Sequence, residues 1–292
     1  MNKIDVLNIE DNLNKLLKLE EKYESCYLNY YKVLDDLISH WISQKSYDFF
    51  EKVAEEKKKQ ITIIENIKEI NNIYNCIKSK YKRMGNKVCF DSYNINKLVT
   101  NTNRCFNKLK NIIYLYDDIN LLNLSNEQRN ILVEEVKKMN KNLENINSLK
   151  SVLVNKSEIL EETEKNLKLK ISKIGIGTAG SLSKNEIFVK KSYNYNYSEI
   201  VIKKEEIEKS FELLNMYKNE EELLVENFDE CYININKFYK TSNTNSLEKL
   251  ERELINSMNN MLKSHSDNIE YLKQEKIMVE ELERKSIQII LE

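Results

Sequence analysis

The chain has 292 residues, with 46 lysines and arginines against 47 aspartates and glutamates, no proline and only four glycines. Proline breaks helix interiors and glycine weakens them, so little in this chain would stop a helix once begun. The near-neutral balance, with no basic groove lined by stacking aromatics, speaks against nucleic-acid binding.

Regularly spaced Leu, Ile, Val and Phe, together with 17 tyrosines, separate the chain from a disordered Lys/Asn/Glu-rich tract. The residues around Met1 to Leu19 are acidic and polar at every few positions, unlike a signal peptide. No apolar run approaches the roughly 20 residues that a membrane span requires. The five cysteines, Cys26, Cys76, Cys89, Cys105 and Cys231, are scattered and odd in number, which fits free thiols in a reducing compartment. The expectation is a soluble, cytoplasmic protein.

In chain order, the first helical segment spans about 9–83. Leu13, Leu16, Tyr23, Tyr27, Tyr30, Leu34, Leu37 and Trp41 follow spacings of three and four, and Phe50, Val53, Ile61, Ile64, Ile67, Tyr74, Ile77 and Tyr81 continue similarly. The register shifts near Ser43 to Ser46, where Ser46 is a candidate helix cap. Gly85 marks a first loop, about 84–93.

The second segment, about 94–172, contains the run Leu132, Val136, Met139, Leu143, Ile146, Leu149 and Leu153. Within it, Ser125 and Gln128 form a capping-box pattern. A second loop, about 173–196, holds Gly175, Gly177 and Gly180. They spell G-x-G-x-x-G, but a nucleotide fingerprint needs a strand before it and a helix after it, so the pattern reads as a helix end and a turn. Tyr193, Tyr195 and Tyr197 follow, and Ile187 to Val189 and Ile200 to Ile202 are candidate strands of a hairpin. The third segment, about 197–290, carries Ile207, Phe211, Leu214, Phe228, Cys231, Ile235 and Phe238. After a polar interruption at Thr241 to Ser246 come Leu247, Leu250, Leu254, Met258, Met261, His265, Ile269 and Leu272.

Spacing near 3.5 residues over several heptads is the coiled-coil signal. The apolar stripes are broad, with doublets such as Ile63–Ile64 and Leu223–Leu224, so each helix is expected to pack on two neighbours. The fold expectation is all-α: a single domain over 1–292, an elongated antiparallel bundle of three long, kinked, coiled-coil-type helices. The breaks near 43–46, 120–126 and 241–246 are read as kinks or short loops, with full reversal left open.

Chemistry for catalysis is sparse. The two histidines, His40 and His265, lie on different segments, and His265 falls on the apolar seam. The acid pairs Asp35–Asp36 and Asp117–Asp118 lack a further acid one helical turn on. The chain is expected not to be an enzyme, to need no cofactor or metal and to have no small-molecule substrate. Charge is the more informative feature. Lys78, Lys80, Lys82, Arg83, Lys87, Lys97, Arg104, Lys108 and Lys110 face a single acid, Asp91, across the first loop, and are expected to form one basic tip. Lys184, Lys190, Lys191, Lys203 and Lys204 flank the second loop. Solvated helix faces, or pairing with the acids of 205–230, are the plain alternative. The functional expectation is an anionic partner, such as lipid headgroups, an acidic protein tail or a polymer.

Three kinked helices of this length joined by two lysine-rich loops resemble the BAR superfamily in organisation and charge, without a specific motif. The resemblance implies a crescent-shaped homodimer that binds anionic membrane from the cytoplasm, with Lys78, Lys80, Lys82, Arg83, Lys190 and Lys191 as contacts. The chain lacks an amphipathic N-terminal insertion helix of the kind some members carry. The alternative is a structural coiled-coil subunit of a tethering, cytoskeletal or chromosome-segregation complex, pairing with other helical proteins.

Overall fold

A computed structural model describes residues 2–42, 44–90, 92–117, 124–174 and 201–291. These residues form α1 (Val6–Ile38), α2 (Gln44–Lys82), α3 (Ser92–Asp117), α4 (Asn126–Ile171), α5 (Lys204–Phe238) and α6 (Thr244–Leu291). Five short strands lie between them: β1 (Asn2–Asp5), β2 (Trp41–Ile42), β3 (Lys87–Phe90), β4 (Val201–Ile202) and β5 (Tyr239–Lys240). The described residues are all-α in class, with six helices where three long kinked ones were expected.

The reason lies at the internal breaks. At the first, Ser39 and His40 close a turn onto the carbonyls of Asp36 and Leu37, and Trp41–Ile42 leave the helix as a strand. At the last, the Thr244 hydroxyl accepts from the Thr241 amide at 2.8 Å and donates to the Tyr239 carbonyl at 3.1 Å. Short hydroxyl side chains thereby take over the hydrogen bonds that a continuing helix would have made. Both breaks are full reversals. Residues 118–123 lie outside the described set, yet α3 and α4 pack on each other with Lys150 over the Phe106 ring. One helix start also differs from expectation, since α2 begins at Gln44 rather than after Ser46, and α6 begins at Thr244, inside the polar interruption. The Ser125–Gln128 capping box forms as read, with bonds of 3.2 and 3.0 Å.

Four helices make the body. Glu10 meets Lys82, Glu20 meets Asn71, Glu24 meets Lys68 and Asp35 meets Lys57, so α1 and α2 run antiparallel. Tyr23 meets Glu221 while Cys26 meets the Tyr217 carbonyl, which sets α5 antiparallel to α1. Glu56 meets Asn268 and Tyr74 meets Glu251, placing α6 antiparallel to α2. Glu221–His265 and Asn236–Glu251 close the ring between α5 and α6. Every neighbour in the ring α1–α2–α6–α5 is antiparallel. A helix in such a ring touches two others, and this is what the broad apolar stripes require.

The strands staple the two ends. β1 lies between β3 and β5, with Ile4 opposite Val88 on one side and Tyr239 on the other. Gly85, at φ 131°, provides the left-handed turn that ends α2 and lets β3 return along β1. At the opposite end β2 pairs with β4, Trp41 against Ile202 and Ile42 against Val201. A hairpin of Ile187 to Val189 with Ile200 to Ile202 was one candidate, beside a loop; Val201–Ile202 pair with β2, and 187–189 lie outside the described residues. The expected loop 84–93 contains β3. One apolar core runs from Ile4 to Leu272, with Tyr23, Tyr30, Tyr31, Tyr74, Tyr81, Tyr232 and Tyr239 buried in it.

Candidate interaction surface

The lysines and arginines singled out from sequence fall into separate places. Lys78 and Tyr81 belong to the last turns of α2, where Lys80, Lys82 and Arg83 are exposed and Lys78 is half-buried. Lys82 donates to both Glu10 carboxylate oxygens at 2.9 Å. That hydrogen bond, reinforced by the charges of Lys82 and Lys78, holds the Glu10 carboxyl below its ordinary value. Lys87, on β3, pairs with Asp5 at 3.7 Å. Lys97, Arg104, Lys108 and Lys110 instead run along α3, where Lys110 sits over the Tyr114 ring. Lys203 is exposed at the other end of the body, its amide donating to the His40 carbonyl, and Lys204 is the first residue of α5. A single basic tip is therefore not formed. Lys184, Lys190 and Lys191, and the glycines and tyrosines of 175–197, lie outside the described residues.

Inside the body, polar groups answer one another. His265, fully buried, places Nδ1 2.7 Å from Glu221 Oε2 and Nε2 3.1 Å from the Tyr31 hydroxyl. Tyr30 stacks on its ring at 3.9 Å. The other Glu221 oxygen accepts from Tyr23 at 3.0 Å and from Gln60 at 3.3 Å. Burial, then the Glu221 charge, pushes the Tyr23 phenol well above its ordinary value. Among the described residues no three His, Cys, Asp or Glu side chains are arranged to hold a metal ion. An open depression of about 450 Å³ lies between the start of α2 and α6, with Phe49, Lys52, Asn268 and Tyr271 among its lining residues.

One member of this core offers a test. Glu251 is buried and accepts from Tyr74 and from Asn236, and burial raises its carboxyl well above the ordinary value. A carboxyl whose folded pKa exceeds its unfolded one binds its proton more tightly in the native state, so it loses stability as pH rises above the unfolded value. Glu251→Gln keeps the shape without the charge: its amide oxygen accepts from Tyr74, and its NH2 donates to Asn236 once that side chain turns its unpartnered Oδ1 inward. It is expected to raise the melting temperature by about 2–4 °C at pH 8 and to change it little at pH 4.5. A lower melting temperature at pH 8 would contradict the assignment.

The hairpin of α3 and α4 is built differently from the body. On α3 the less exposed positions include Ile95, Val99, Thr102, Phe106, Leu109 and Ile113, and on α4 they include Leu132, Val136, Met139, Leu143, Ile146, Leu153 and Leu160. On α3, and on α4 as far as Ile146, these positions alternate by three and four; with half-buried Lys150 and Ser157 filling the two seven-residue steps to Leu160, they form one narrow antiparallel seam. The buried α4 residues lie near its end, Leu160, Thr163, Leu167 and Ile171, where Glu164 bonds Tyr81 and Lys170 reaches Cys76. Asn243, in the α5–α6 turn, clasps Glu164 through its carbonyl and carboxylate.

Half of the large apolar side chains exposed among the described residues belong to this hairpin. On α3, Leu98, Cys105 and Ile112 each stand one position before a seam residue, and Leu115 (67% exposed) continues the row. On α4, Leu149, Val152 and Ile159 do the same, with Ile131 (59% exposed) nearer the turn. In an antiparallel pair, residues that precede seam positions on the two helices fall on the same side of the seam. The two rows therefore form one apolar face beside a seam that is already filled. Sequence reading placed Leu149 in the seam run, but the structure leaves it 54% exposed on this face, which the reading otherwise passed over although the seven-residue repeat of Leu98, Cys105 and Ile112 signals it.

No protein-family model, curated protein or solved structure matches the chain. No described helix is long and apolar enough to cross a membrane.

Proposed function

We propose that this chain is a non-catalytic interaction protein, a cytoplasmic coiled-coil scaffold whose four-helix body carries the α3–α4 hairpin as a docking arm. The observation that supports this is the apolar face of the hairpin. A narrow two-helix seam needs only one row per helix, so a second row of exposed Leu, Ile and Val lowers solubility without adding to the fold. Such a patch is maintained where something covers it. The five free cysteines suit a reducing compartment.

A second reading is a peripheral membrane protein of BAR-like kind acting as a homodimer. The exposed Lys80 and Arg83 at the end of α2 and the exposed cations of α3 favour it. Its relation to helix length differs from the family pattern, since each of the three segments folds back on itself.

The docking-arm reading is tested by photo-crosslinking in cells. A photoreactive residue at Leu115 or Val152 is expected to give discrete adducts. The same residue at Leu17 or Leu28, exposed positions on the body, is expected to give none. Equal labelling from arm and body, or none from the arm, would end this reading.

A further inference from the structure

Resting on the docking-arm reading, we infer that the apolar face of the hairpin takes up an acidic amphipathic α-helix of a protein partner, which lies along the two rows and completes a three-helix bundle.

The dimensions fit a helix. From Leu98 to Leu115 the α3 row spans about 26 Å at 1.5 Å per residue, the length of a docked helix of about five turns. Two exposed apolar rows on one face of an antiparallel helix pair offer a third helix a place to set its own apolar stripe.

The charges select the sign of that helix. Lys108 stands within the α3 row between Cys105 and Ile112, and Lys156 within the α4 row between Val152 and Ile159. Lys97 and Arg104 each directly precede an apolar residue of the α3 row, as the exposed Glu158 precedes Ile159 of the α4 row, so cations outnumber acids on this face. All four cations are exposed, and none forms an ion pair with a described residue. The acid in the rows, Glu135, is held by Lys138 at 2.8 Å within its own helix. A second copy docking through this same face would bring these cations against one another, whereas acids flanking an apolar stripe would meet them. Polar amides also stand in the rows, Asn101 on α3 and Asn142 and Asn145 on α4. A helix with acidic flanks can satisfy amides; the hydrocarbon of a membrane cannot.

The probe is a labelled synthetic peptide of about 18 residues, leucine at its seam positions and glutamate flanking them, titrated with the full chain and followed by fluorescence anisotropy. A lysine-flanked peptide of the same length is the control. The glutamate peptide is expected to bind at least tenfold more tightly than the lysine peptide and to weaken with salt. Ile112→Asp/Val152→Asp, on exposed positions that leave the melting curve in place, is expected to lose at least tenfold in affinity. Lys108→Glu/Lys156→Glu is expected to reverse the preference toward the lysine peptide, which a loss of structure would not do.

Equal binding of the two peptides, or none, overturns the proposal. So does sedimentation with phosphatidylserine vesicles, or a dimer by light scattering, if either is abolished by Ile112→Asp/Val152→Asp. In those two cases the docking arm stands and only its partner class falls. If that double variant changes none of the three readouts, the docking-arm reading falls as well.

Discussion

His265→Leu is expected to destabilise the protein by about 3–5 kcal/mol, the cost of leaving a buried charged group without its partner. His265 is fully buried and Glu221 nearly so, and the imidazole supplies the donor for Glu221 Oε2 at 2.7 Å. Leucine matches the volume but donates nothing. Tyr23 and Gln60 continue to serve the other carboxylate oxygen, so the loss is partial. The Tyr31 hydroxyl also loses its partner on Nε2, and Tyr30 loses the ring on which it stacks. Replacing both residues, His265→Leu/Glu221→Leu, removes the charge that made the first change costly. The double variant is therefore expected to be more stable than the single one by about 1–2 kcal/mol, although it carries more substitutions. Urea denaturation followed by circular dichroism measures both. A single variant within about 1 kcal/mol of the natural chain would show that the network holds no such charge.

The same network shows what the sequence could and could not convey. His265 is legible as a seam residue because Met261 and Ile269 stand one turn away on either side. Its partner is not, since Glu221 lies 44 residues away among a run of acids, Glu220, Glu221 and Glu222, of which only the middle one turns inward. Periodicity places a residue on a face; it does not say which of three adjacent acids the neighbouring helix will meet. The all-α class follows from the absence of proline and the scarcity of glycine, and the capping box at Ser125 follows from local chemistry alone. Each depends on interactions within a few residues. The reversals are harder to read because a kink and a hairpin share the same turn residues. What decides between them is whether the two flanking helices bury more against each other than apart.

The basic residues illustrate the other side of this limit. Lys82 and Arg104 belong to one run of like charge, yet the chain passes through Gly85 and β3 between them. Lys82 is then occupied by Glu10, from a helix more than 70 residues earlier, while Arg104 points from the hairpin. The apolar row of Leu98, Cys105 and Ile112 has the opposite history. Its spacing was in the sequence, but it gains meaning only once the seam beside it is known to be filled by α4.

Trp41→Ala is expected to cost about 3–5 kcal/mol, as for other large aromatic side chains removed from a core. The indole is 3% exposed and is surrounded by Phe49 and Phe50 of α2 and Tyr271 of α6, with ring centres 5.8, 6.0 and 6.3 Å away. It plugs the end of the body at the place where α1 turns back into α2. Its own backbone pairs with Ile202, and the neighbouring Lys203 amide donates to the His40 carbonyl at 3.0 Å, so the same residue ties the start of α5 to this turn. Removing the side chain is therefore expected to speed amide exchange at Ile202 and Lys203 more than at Ile4, in the sheet at the other end. Trp41→Phe, which keeps a ring in the site, is expected to cost less than half as much. A uniform rise in exchange at both ends would make the loss one of general core volume. A rise confined to β2 and β4 would show that this one aromatic plug makes the first break a reversal, because the polar turn of Ser39 and His40 is equally compatible with a bend.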